Sequence, residues 1–482
     1  MMSLRGFAVL VVCSMTATGF ATTLPSQPTT PLTEDALLAS SEKHYPRILE
    51  SLAAQRAAAG RAMAAAGAFD LVFSADGFSR VDGFYDGTAV EGQATQRLRP
   101  LGASVYAGYK VSDGTFPVYE DEYFTNSGGT LKVGVLFALL RDREIDEQRF
   151  AERDSDLALR EAELDVLLTR IGVQERALVA YWRWVTAGRK LRIYESLARL
   201  AVDRQNGLEE QIRRGAVAQI LLTENLQNIT RRQTLVTAAG RDLQIAANAL
   251  SLYYRDQDGR PRVPNVEQLP PGAAINEIAT LAAPQAVPVS DAMARRPELA
   301  MLKTAIEREQ NRIALAENDL KPRLDFGVEV QHGLGSIAEG GPSRDSTDTI
   351  VGFTFSVPLQ LNAARGEIEQ SRAALTARQY EQQLREEQVE LEVRNLLVEL
   401  NVSRELLLLA AQDVQQSEIV RASEVRRFRS GASDFLRLNI REETAADARV
   451  RLIEAEFKTR IARANYDAAT VNLARLGIDP AL

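Results

Sequence analysis

Two stretches of the chain place apolar residues at a seven-residue spacing. Val389, Val393, Leu396, Leu400, Leu407, Ala411 and Val414 step by 4, 3, 4, 7, 4 and 3. Leu157, Leu164, Leu168, Ile171, Leu178, Trp182 and Val185 step by 7, 4, 3, 7, 4 and 3. That period is the one that keeps an apolar seam facing a partner helix in coiled-coil packing. The spacing predicts helices over about residues 143–212 and 364–429. Neither range contains proline, and at 1.5 Å per residue each would be roughly 100 Å long. Both stop at a glycine, in "RRGAVAQ" and "FRSGASDF". A glycine inside a helix costs about 1 kcal/mol relative to alanine. Gly215 and Gly431 therefore read as turns with positive φ, after which helices over about 218–253 and 435–475 run back antiparallel. Arg213, Arg214, Arg426, Arg427 and Arg429 just before the turns suit helix C-termini electrostatically.

Alternation with a period of two is weaker and confined to short runs. Candidate strands lie at about 69–78 and 130–139, and again at about 323–332 and 349–358. In the third, Leu324, Phe326, Val328 and Val330 oppose Asp325, Gly327, Glu329 and Gln331. Each run is about ten residues, the length of a tilted strand that crosses a bilayer. The run 101–110, "LGASVYAGYK", alternates too and is a candidate extra strand. Four strands cannot close a barrel, since about eight is the small end. They either pack on the helices as a sheet or are shared among several copies.

These elements occur twice in the same order. A proline-opened helix in "YPRILESLAAQ" is answered by "RPELAMLKTAI", and "GVLFALLRDRE" by "FTFSVPLQLNAARGE". The chain divides into a first repeat over 22–254, with its hairpin tip at about 213–218, and a second over 297–482, with its tip at about 429–434. Between them, 255–296 is rich in proline (Pro261, Pro264, Pro270, Pro271, Pro284, Pro288) and reads as a linker or side segment.

Residues 1–21 have the form of a secretory signal peptide, with Arg5, a short apolar core and small residues Gly19 and Ala21 before the cut. The one cysteine, Cys13, lies inside that core, so the mature chain has no thiol chemistry. A net charge of −8 gives no basic field for nucleic acid. Catalytic constellations are missing: His44 and His332 have no second ligand beside them, and "GLGSIA" is followed by loop residues instead of the helix a dinucleotide site needs. No cofactor and no enzyme activity are expected. Tyr181, Trp182 and Trp184 form either a ligand platform or a packing layer between helices.

The signal peptide, the duplication, "RRPEL", "KPRLDFGVEV", "FTFSVPLQLN" and a glycine tip in each half together resemble the TolC-type outer-membrane efflux family, over nearly the whole mature chain. The resemblance implies a mostly α protein with a small β part. It implies a homotrimer in which each protomer gives four strands to one twelve-stranded barrel in the outer-membrane lipid. The long helices would form an α-barrel through the periplasm. It implies a passive exit duct for efflux or type I secretion, working with a periplasmic adaptor and an inner-membrane pump, either an ABC transporter or a proton-driven one. The tip residues Gly215, Ala216, Val217, Gly431, Ala432 and Ser433 would dock the adaptor. Members with an acidic constriction at the periplasmic mouth carry Asp at places that here, six and nine residues after Gly431, hold Arg437 and Ile440, while Asp434 is the nearest acid. Arg437 would either ring the pore, favouring anions, or pair with Asp434 or Glu442. The alternatives are a periplasmic coiled-coil adaptor, which needs a single hairpin and a small β-domain, and a structural coiled coil without a barrel.

Overall fold

The computed structural model describes residues 30–271, 286–337 and 346–479; the signal-peptide segment 1–21 lies outside them. Helix α1 (Glu34–His44) leads into α2 (Pro46–Ala66), and strands β1 (Val72–Ser79), β2 (Thr88–Arg97), β3 (Ser104–Asp113) and β4 (Thr130–Ala138) follow. The hairpin of α3 (Glu147–Arg213) and α4 (Ile220–Leu250) closes the first repeat. The second runs α5 (Val289–Arg295), α6 (Pro297–Asn318), β5 (Arg323–Gly333), β6 (Thr347–Ser356), α7 (Asn362–Arg429) and α8 (Phe435–Ala469).

The duplication extends one helix further back than the sequence pattern shows. Short helix α1 packs on α3 as short helix α5 packs on α7. Each ends at a residue before proline, Tyr45 (ψ 123) and Arg296 (ψ 118). The proline ring bars that residue from helical geometry, while proline itself opens the next helix at no hydrogen-bond cost. Within each repeat the 67-residue α3 or 68-residue α7 is flanked along its length by two shorter helices, α2 and α4 or α6 and α8.

Burial concentrates midway along the long helices. The heptad residues Val389, Val393 and Leu400 are buried with Ala292, Ala462 and Tyr466. Ile171 and Leu178 are buried with Leu38, Ala464 and Leu476. Trp184, fully buried, joins Tyr181, Trp182, Leu37, Leu243 and Leu250, and the Tyr181 hydroxyl donates to the Leu32 carbonyl at 2.8 Å. The aromatic run is thus a packing layer, the second of its two readings.

The β part is one antiparallel sheet in the order β1-β2-β3-β4-β5-β6. Among the described residues there are therefore six strands, two more than the four expected. Residues 104–113 include most of the candidate extra run, and 88–97 form a strand that alternation did not reveal. In "TAVEGQATQR" the less polar face carries only Val90, Gly92 and Ala94 between its ends, too little side chain to register as an apolar period.

Candidate conduit and hairpin tips

Strand register assigns every residue to one of the two sheet faces, because residues paired across an antiparallel ladder share a face. One face carries Phe73, Val90, Ala94, Val105, Tyr109, Val133, Val135, Phe326, Val328, Val351, Phe353 and Phe355. The other carries Asp76, Glu91, Arg97, Lys110, Lys132, Arg323, Asp325, Glu329 and Asp348. Asp113, at the end of β3, is the only Asp, Glu, Lys or Arg of the strands on the apolar face. Phe353 is 77 % exposed and Phe73 73 % exposed, so this apolar face is uncovered in the single chain. On the polar face Glu91 contacts Lys132 and lies 3.9 Å from Lys110, and the Tyr106 hydroxyl donates to Glu329. One apolar and one polar face, with strands of eight to eleven residues, are the properties of a barrel wall between lipid and water.

The strands meet the helices at a polar collar. Asp146 caps α3, accepting from the Arg149 amide at 2.8 Å, and the buried Arg149 side chain donates to the carbonyls of Arg143 at 2.9 Å, Arg99 at 3.2 Å and Asp142. Asn318, at the end of α6, exchanges two hydrogen bonds with Asp142, at 2.8 and 3.0 Å. The collar thus binds both repeats and the β2–β3 turn at one level.

At the far end, α3 and α7 stop in the same way. The Gly215 amide donates to Ile212 O at 2.9 Å and the Ala216 amide to Gln211 O at 2.9 Å. The Gly431 amide donates to Phe428 O at 3.1 Å and the Ala432 amide to Arg427 O at 2.9 Å. This is the two-bond C-cap that needs a left-handed residue, and φ is +69° at Gly215 and +75° at Gly431. A Cβ at either would meet nothing within 4 Å, so the backbone angle alone demands glycine. The second tip is the more constrained: Asp434 caps α8 by accepting from the Arg437 amide at 2.7 Å, whereas α4 has no side-chain cap. The Ser433 hydroxyl donates to Glu424. Arg437 pairs with Asp434 at 3.3 Å with both side chains more than half exposed, and Ile440 is 48 % exposed. Ala216 and Val217 sit in the first turn, after Gly215.

Glu442 is engaged elsewhere. It pairs with Arg204 on α3 and with Arg232 on α4, the latter at 3.1 Å, while Arg204 also donates to Asn439 at 2.7 Å. Burial pushes the Arg232 guanidinium down from its ordinary pKa, against the opposing pull of Glu442. This network ties α8 to the first hairpin. It was not apparent in the sequence, because its members lie more than 200 residues apart.

A second apolar stripe also escaped the sequence reading. Leu384, Leu391, Val398, Val402 and Leu409 step by 7, 7, 4 and 7 along α7 and are all exposed, from 49 % at Val402 to 62 % at Val398. It lies two residues out of phase with the buried seam through Val389 and Leu400, on the other side of the helix. No described helix is long and apolar enough to cross a membrane, and no described cluster of His, Cys, Asp and Glu is fit for a metal.

The sequence pattern of the family described as outer membrane efflux protein matches residues 289–470. Over those residues the chain is similar to that family. The fold of such channels extends over nearly all of the chain. It is similar to the outer-membrane channel OprN at TM-score 0.60 and 16 % identity, covering 91 % of this chain and 89 % of that one. It is similar to the outer membrane protein VceC of Vibrio cholerae at TM-score 0.60 and 13 % identity, covering 91 % and 95 %. It is similar to the open state of the MtrE outer membrane channel of Neisseria gonorrhoeae at TM-score 0.62 and 13 % identity, covering 94 % and 89 %. No curated protein matches the chain by sequence. The matched family and these solved structures are an efflux protein family and outer-membrane channels.

Proposed function

We propose that three copies of this protein form an outer-membrane channel-tunnel, the passive exit duct of a tripartite efflux or type I secretion system. The observation that carries the reading is the sheet: an uncovered apolar face backed by a charged one, with both edges free. That arrangement is stable only where lipid meets one face, water the other, and further strands the edges. It also weighs against a periplasmic adaptor or a structural coiled coil, neither of which needs a lipid-facing sheet. The exposed stripe on α7 supports self-association, since heptad seams bury themselves against another helix.

In this reading most of the chain stands in the periplasm. The turns at Gly215, Ala216 and Val217 and at Gly431, Ala432 and Ser433 receive an adaptor, which links the duct to an inner-membrane pump. Asp434, Arg437 and Ile440 surround the entrance. Arg437→Asp replaces an ion pair by two adjacent carboxylates there. The test is purification from outer membranes followed by planar-bilayer recording. A trimer that conducts is expected, with Arg437→Asp shifting the reversal potential toward cation selectivity. A monomer soluble in the periplasm would overturn the channel reading. An unmoved reversal potential would remove Arg437 from the pore.

A further inference from the structure

Resting on the reading that three copies share one barrel, we infer that all six strands of each copy stand in its wall. Six strands from each of three copies make eighteen, where the family resemblance implies twelve. The duct through the outer membrane is then porin-wide.

The first argument is sidedness. The outermost pair, β1 and β2, segregates charge as the others do: Asp76 on β1 and Glu91 on β2 lie on the face of Lys132 and Glu329, and Phe73 and Val90 lie on the other. A hairpin folded over the outside of a barrel, or hanging in water, has no reason to keep that alternation. Glu91 reaches across β3 to Lys132, passing over Gly108, where a Cβ would lie 2.7 Å from the lysine side chain. The polar surface is thus continuous from β2 to β4.

The second argument is anchorage. The β2–β3 turn is held at the level of the other strand ends by Arg149, which donates to the Arg99 carbonyl at 3.2 Å. Gly102 of the same turn is pressed so close to the Asp142 carbonyl that a Cβ would lie 2.2 Å from it. Removing β1 and β2 from the wall would also break a β2–β3 ladder that runs from Thr88↔Asp113 to Arg97↔Ser104.

The third argument is parity. Successive strands alternate in direction, so β1 and β6 run opposite ways. β6 of one copy can therefore pair antiparallel with β1 of the next. An added pair of strands preserves this closure, whereas one added strand would not. Barrel diameter grows about linearly with strand number, so the lumen is about 1.5-fold wider than with twelve strands and its cross-section roughly twofold larger.

The experiment uses the full-length trimer in liposomes, with single cysteines placed on β1 and β2 and a membrane-impermeant thiol reagent. Asp76→Cys and Gln93→Cys, facing water, should react about tenfold faster than Ala75→Cys and Ala94→Cys, facing lipid. Oxidation of proteins carrying Ser74→Cys or Asp76→Cys together with Gly352→Cys or Thr354→Cys should link neighbouring copies. Conducting trimers that label evenly on both faces of β1 and β2, or that link β6 to Gly108→Cys on β3, would overturn the eighteen-strand wall and leave the channel reading intact. A chain that neither trimerises nor conducts would overturn both.

Discussion

Removing the Glu442 carboxylate takes the closest anion from two guanidinium groups, Arg204 and Arg232, and leaves Arg232, which is 1 % exposed, with the Leu197 carbonyl at 2.8 Å and Glu443 at 4.0 Å. Breaking a buried pair by deleting one partner costs about 3–5 kcal/mol. Glu442→Gln should therefore lower the thermal midpoint of the purified protein far more than Arg437→Gln. The exposed Arg437–Asp434 pair is worth about 0–1 kcal/mol. Equal midpoints for the two variants would show that water reaches Arg232. At the turn, Gly431→Ala forces a Cβ into the left-handed region at a cost of about 1–2 kcal/mol, and Gly431→Asn should cost less, because asparagine tolerates that region. The same order should hold at Gly215; if alanine is harmless at both, the left-handed cap is not what holds the turn. These two sites differ in legibility for a physical reason. Gly215 and Gly431 stand where the apolar period of a long helix breaks off, which marks them as turns, whereas Gly172, Gly188 and Gly207 inside α3 have no positive φ. A glutamate among dozens of helical carboxylates carries no mark that its partners lie on another hairpin.

At the scale of elements, the long helices were legible because a heptad sustained over many turns has one good solution. Their observed ends, Glu147–Arg213 and Asn362–Arg429, fall within a few residues of where the pattern and the glycines put them. Strands were less legible because one face of a sheet can be built from small residues, as β2 shows. The exposed stripe on α7 was hidden by a different cause: its leucines sit beside a stronger seam, and only burial separates the two. Leu391→Glu with Val398→Glu should prevent trimers while leaving the helical content of the single chain unchanged, since both positions face outward there. Size-exclusion chromatography and circular dichroism check this pair of outcomes. Intact trimers with both glutamates would mean that the stripe is not the seam between copies.

For the whole molecule, the fold class read from the sequence matches the structure, and the count of strands is the main departure from it. The duplicated plan explains why one collar suffices. Arg149, Asp142 and Asn318 hold the ends of both repeats at one plane, and from that plane α3 and α7 each run roughly 100 Å to an otherwise unencumbered turn. Such a geometry is a lever with its fulcrum at the collar. A tilt of about 5° there sweeps a 100 Å arm through roughly 9 Å at its tip. In the proposed duct, an entrance at the far end would change bore by several ångströms for a few degrees of tilt at the collar, with the ladders of the sheet kept in register.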